Sequence, residues 1–100
     1  LMARFDVYRG VGDGTLLLDC QSDLLSRLNT RFVVPLQPPV VAPVPARRLN
    51  PEFELDGARY VMVTQYAAVL QLRDCGPIVG TLAHEDVAIL NALDMLISGY

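Results

Sequence analysis

Val87-Ala88-Ile89-Leu90-Asn91-Ala92-Leu93-Asp94-Met95-Leu96-Ile97 repeats its apolar residues at helical spacing. What precedes it reads as short strands and turns, so the order is strands first and one helix last. At about 100° per residue, Ile89, Leu90, Ala92, Leu93, Leu96 and Ile97 share one broad face, expected to pack on a sheet. The opposite face carries His84, Val87, Asn91, Asp94 and Met95, polar and apolar groups interleaved. Cover by a second subunit or partner, and a plain scatter of surface apolars, are both open readings of that face. The helix is expected to begin near Ala83 and His84, with Glu85 and Asp86 in its first turn complementing the dipole. Ser98-Gly99-Tyr100 follow it, read either as a frayed end or as a small anchor for a partner protein.

Upstream of the helix, Phe5 to Arg9 suits a first strand and Thr15 to Cys20 a second. Between them Gly10-Val11-Gly12-Asp13-Gly14 is turn chemistry, a long flexible hairpin tip. Arg31 to Leu36 is β-branched and aromatic, a third strand. Gln37 to Ala46 then holds four prolines in ten residues, which excludes a central strand or a helix and leaves a stiff, extended loop or edge. Phe53–Leu55 and Arg59–Thr64 flank Asp56-Gly57, a hairpin signal. Ala67 to Leu72 is another strand, Gly76-Pro77 a turn, and Gly80-Thr81 the lead into the helix. The fold class is mostly β with one C-terminal α-helix, a small antiparallel barrel or sheet capped by that helix.

The chain is 100 residues long and 52% apolar, which suits one domain over residues 2–100 with a modest core. Eight basic against eleven acidic residues give a net charge of −3, and the longest basic cluster is Arg47-Arg48. Binding to nucleic acid by phosphate neutralisation is therefore not expected. No apolar run approaches the ~18 residues of a membrane span, and the first residues lack a signal-peptide core. Met2 reads as the natural start, Leu1 as an addition, and the cytoplasm as the expected compartment. There Cys20 and Cys75 are reduced thiols, both read as small core residues.

Residue chemistry points away from catalysis. His84 is the one histidine, no Cys-x-x-Cys occurs, and no metal or cofactor is expected. Gly10, Gly12 and Gly14 lack the spacing and the following helix of a phosphate loop. His84, Glu85 and Asp86 read as a helix-capping arrangement rather than an acid–base pair, and Asp19 and Asp23 as loop caps.

The ordered set of short segments resembles the CcdB-type toxin family almost end to end. Phe5-Asp6-Val7-Tyr8 resembles its opening strand, and Asp19-Cys20-Gln21-Ser22-Asp23-Leu24-Leu25 its Asp-Val-Gln-Ser-Asp-Ile-Ile segment. Val33-Val34-Pro35-Leu36 resembles Val-Ile-Pro-Leu, and Asn91-Ala92-Leu93-Asp94 resembles Asn-Ala-Ile-Asn. Leu49-x-Pro51, Met62-x-Thr64 and Leu82-x-His84 fall at the family's spacings. The resemblance implies an SH3-like barrel sheet with a small extra sheet and a C-terminal helix, assembled as a homodimer. It also implies a non-enzymatic toxin of a toxin–antitoxin pair that traps the DNA gyrase–DNA cleavage complex through the gyrase A subunit. The family's Trp-Gly-Ile tripeptide, which stacks on a gyrase arginine, falls on Ser98, Gly99 and Tyr100, where only Gly99 matches. Leu24, Leu25, Asp94 and Ile97 fall on other gyrase-contacting positions. Gly10, Gly12 and Asp13 of the glycine-rich turn, with Val41, Pro43 and Pro45 of the proline loop, are implied to meet the cognate antitoxin. Two further readings stand: a weakly toxic or inactive relative that keeps the antitoxin, and a ribonuclease of the same fold recruiting His84, Arg59 or Arg73.

Overall fold

Short β-branched and aromatic runs bounded by glycine and proline become seven strands in the computed structural model, which describes residues 3–10 and 14–99. In chain order these are β1 (Asp6–Arg9), β2 (Leu16–Asp19), β3 (Thr30–Gln37), β4 (Glu52–Leu55), β5 (Ala58–Met62), β6 (Ala68–Gln71) and β7 (Ile78–Thr81). One helix, α1 (Asp86–Ser98), follows them. All pairings are antiparallel, in the order β4-β5-β3-β2-β1-β7, with β6 also on β3. The eight-residue β3 organises the sheet. One edge of β3 takes β2; the other takes β6 at Thr30–Val33 and β5 at Leu36–Gln37. The β4–β5 hairpin hangs from β3 by those last two positions, as part of the same sheet. Its two-residue turn has Asp56 at φ 51° and Gly57 at φ 80°, the left-handed pair that a twisted hairpin requires.

The sheet is a curled half-barrel. A Cβ on Gly80 of β7 would come within 3.0 Å of Leu55 Cδ1 at the end of β4, so glycine lets the two end strands of the sheet approach. β7 corrects the sequence reading, which treats Gly80-Thr81 as a lead into the helix. Four residues that include a glycine show no period, and pairing with β1 decides their state. Phe5, read as the first strand residue, instead precedes β1 at φ 72° with its ring buried.

One face of the sheet packs under α1. Phe5, Val7, Leu16, Leu18, Val34, Leu36, Phe53 and Met62 form this core with Leu82, Ile89 and Ala92. The expected helix face is too broad. Leu90 is 39%, Leu96 41% and Ile97 77% exposed, while Met95, placed on the outer face, is half-buried. Leu90 and Ile97 lie about 100° and 80° round the helix from Ile89, outside the narrow stripe that a single sheet can cover. Leu96 is on the stripe by angle, but it lies in the last turn, where cover is incomplete.

The start of the helix differs too. Ala83–Glu85 form a 3-10 turn and the α-helix begins at Asp86. Glu85 at the cap position makes no side-chain cap bond. Thr81 Oγ1 instead accepts from the Ala83 amide at 3.1 Å, and Asp86 Oδ1 from the Val87 amide at 2.9 Å. His84, read as part of the cap, is exposed.

Candidate functional site

The residues implied to meet gyrase lie on two separate elements. At the end of α1, Asp94, Ile97 and Ser98 are exposed. Gly99 closes the helix at φ 78°, its amide donating to the Met95 carbonyl at 3.1 Å. This left-handed cap is a position that glycine takes without strain. Tyr100 lies outside the described residues. α1 packs against the 3-10 turn Thr64–Tyr66, whereas the other candidates lie in the β2–β3 connection.

Leu24 and Leu25 lie in that connection, in the 3-10 turn Asp23–Leu25. Leu24 is 94% and Leu25 48% exposed. Ser22 Oγ accepts from the Leu24 amide at 3.2 Å and caps the turn. Gln21 spans it: Nε2 donates to the Leu25 carbonyl at 3.0 Å, and Oε1 accepts from the Phe32 amide at 3.0 Å. Asp23 Oδ1 accepts from the Arg4 amide at 2.7 Å. Asp19 and Asp23 do cap loop amides, since Asp19 Oδ1 also takes the Gln21 amide at 3.0 Å.

Beneath this turn lies a buried polar cluster that sequence reading missed. Asp19 Oδ2 accepts from the Tyr8 hydroxyl at 2.8 Å and lies 3.5 Å from Arg31 Nε. All three residues are under 5% exposed. Burial pushes the Asp19 carboxyl above the ordinary carboxylate value, and the Gln21 amide, the Tyr8 hydroxyl and the Arg31 charge oppose that shift. Burial, together with the Asp19 carboxylate, likewise raises Tyr8. The available signal was an aspartate ending one strand and an arginine opening the next, but only strand register brings them together.

The segments implied to meet the antitoxin share the opposite end of the sheet. Arg9 pairs with Leu16 and Leu16 with Leu36, so the β1–β2 turn and the loop after β3 leave side by side. Gly10 donates to the Thr15 carbonyl at 3.1 Å, and a Cβ there would stand 2.7 Å from that same oxygen. Gly12 and Asp13 lie outside the described residues. In the proline loop Val41 is 50% exposed, Pro43 half-buried and Pro45 exposed. Val40 and Val44 are each 92% exposed. The amides of Val41 and Ala42 both donate to the Pro38 carbonyl, forming a turn before the extended part. Buried Asn50, also missed from sequence, ties the loop down. Its Oδ1 accepts from Ala46 at 2.9 Å, and its Nδ2 donates to Met62 O at 3.0 Å and Gln65 Oε1 at 2.8 Å.

The groups considered for ribonuclease chemistry stand on three elements. Arg59 on β5 pairs with Glu52 at 3.4 Å, Arg73 lies in the 3-10 turn Leu72–Asp74, and His84 lies in the turn before α1. Arg73 lines an open groove of about 360 Å³ with Asn29, Gln71 and Leu72. Among the described residues no group of three or more His, Cys, Asp or Glu is arranged to hold a metal, and no helix is long and apolar enough to cross a membrane. Cys20 packs against the core, and burial pushes its thiol up to about 12. Cys75, also read as a core residue, lies outside the core at the end of a 3-10 turn and is half-buried.

A curled antiparallel sheet capped by one C-terminal helix defines the fold class of the chain. The chain belongs to the CcdB protein family, which it matches over residues 4–99. That membership places it with the toxins of toxin–antitoxin pairs. No curated protein matches the sequence.

Proposed function

We propose that this protein is the toxin of a type II toxin–antitoxin pair. It binds the DNA gyrase A subunit, traps the gyrase–DNA cleavage complex without itself being an enzyme, and is neutralised by a cognate antitoxin in the cytoplasm. The observation that carries this reading is the pair of exposed apolar elements, Leu24-Leu25 on a capped turn and Ile97-Ser98-Gly99 on a capped helix end, in a chain of this family. Ordered apolar side chains held in water make sense as contacts awaiting a partner.

Ser98 favours a second reading, a relative that binds its antitoxin and poisons gyrase weakly. An exposed serine offers no π face for a gyrase arginine. A cleavage assay with purified gyrase, supercoiled DNA and this protein separates the two. Accumulation of linear DNA after detergent and protease treatment is the expected result. Gyrase binding without linear DNA supports the weak relative, and no binding refutes gyrase targeting and supports an inactive relative that keeps only its antitoxin.

A further inference from the structure

We propose that Arg31 is a positioning residue: its buried guanidinium, seated on Asp19, holds the loop after Gln21 in the shape that presents Leu24 and Leu25 to the partner. The partner half of this inference rests on the gyrase reading above.

No residue from Asp23 to Asn29 is buried, and Leu24, Leu25 and Leu28 are 94%, 48% and 49% exposed. Hydrophobic packing therefore holds this segment only through the half-covered Leu25 and Leu28, and a segment with so little buried apolar surface opens locally at low free-energy cost. The rest of its order comes from polar bonds. Arg31 supplies three: Nη2 to the Ser26 carbonyl at 2.9 Å, and Nη1 to the Leu28 and Thr30 carbonyls at 3.3 and 3.0 Å. The Ser26 and Leu28 carbonyls belong to the stretch that returns the chain from the leucine turn to β3, and Thr30 is the first residue of β3. The planar fork of a guanidinium reaches several acceptors at once, and a lysine ammonium does not reproduce that geometry.

Asp19 aims the fork. It lies 3.5 Å from Arg31 Nε and is itself held by the Tyr8 hydroxyl and the Gln21 amide. The same aspartate thus touches both ends of the loop: Gln21 where it leaves β2 and Arg31 where it enters β3. A buried ion pair of this kind adds little stability over well-packed apolar residues. What it adds here is a fixed loop, which lowers the ordering cost when a partner docks.

The test uses the whole chain and purified gyrase A subunit. Arg31→Lys keeps a charge beside Asp19 without the fork. The double variant Arg31→Met/Asp19→Asn leaves no unpaired buried charge. Amide hydrogen exchange over residues 23–29 is expected to accelerate by about tenfold or more in both, with the β2 and β3 amides still protected. Gyrase A affinity is expected to fall by about tenfold. In a Leu24→Ala background the same Arg31→Lys change should cost much less, because a misplaced leucine matters only when it is present. Unchanged exchange over 23–29 overturns the proposal. So does an affinity loss that is the same with and without Leu24, which would mark a general structural role. A parent protein that fails to bind gyrase A refutes the functional reading and the partner half, while the exchange result still decides whether Arg31 holds the loop.

Discussion

The thiols separate two residues that look alike in sequence. Cys20 follows β2 among core residues, and its thiol is pushed up to about 12 by burial. Cys75 is also raised by burial, but it sits outside the core with its Sγ 3.8 Å from the Gln71 carbonyl. Since the thiolate is the nucleophile, iodoacetamide at pH 8 is expected to label Cys75 first and Cys20 only as the protein unfolds. Mass spectrometry of a labelling time course checks this, and equal rates would contradict it. Stability carries the same signature. The unfolded chain releases the Cys20 proton near 9.0, the folded chain near 12. The contribution is therefore full below pH 9 and lost as the pH rises towards 12. Tyr8, raised above its usual 10.0, adds to the loss at higher pH. Urea unfolding should show stability falling above pH 9, with a shallower fall for Cys20→Ala. An equal slope in the variant would remove Cys20 from this account. Asp19, Arg31 and Asn50 show where one-dimensional reading stops at this scale. A buried arginine in a β-branched run has no local signature, because its burial is set by partners 12 residues away and by strand pairing.

At the scale of elements, the helix and the proline loop behave differently. The 3.6 period of Val87 to Ile97 is visible in sequence, and so is its stop, because Gly99 accepts the left-handed cap. Which of its apolar residues are covered is not visible, since that depends on the width of the sheet beneath. Ser98 is exposed and outside the packed stripe, so Ser98→Trp should leave stability nearly unchanged while strengthening gyrase binding. Each cation–π contact is worth roughly 0.5–2 kcal/mol. A gyrase A pull-down beside a growth assay reads both effects, with deletion of Gly99 and Tyr100 expected to lower binding. No gain from tryptophan and no loss on truncation would remove the helix end from the site. The proline loop is stiff by composition and pinned by Asn50, so it can capture a disordered segment at small entropic cost. Pro43→Gly with Pro45→Gly should weaken antitoxin affinity in calorimetry and leave the thermal transition in place. Unchanged affinity would move the antitoxin elsewhere.

For the whole molecule, the expectation is a homodimer. The outer side of α1 exposes Val87 at 68%, with Leu90 at 39% one turn on, an apolar surface that a two-fold axis can bury against its own copy. Light scattering at micromolar concentration should give twice the chain mass of 11.0 kDa, and Val87→Lys should shift it towards the monomer. A parent that is monomeric throughout refutes the assembly. The sequence by itself determined the class of this protein: strands before one helix, the Asp56-Gly57 turn, the proline loop and the family resemblance. These are local or ordered along the chain, and propensity and turn chemistry act locally. Tertiary structure alone decided that Ile78–Thr81 is a strand, that Leu90 and Ile97 face outwards, and that Arg31 reaches Asp19. Each of those depends on a neighbour distant in sequence, because pairing, cover and the cost of burying charge are properties of the space around a residue.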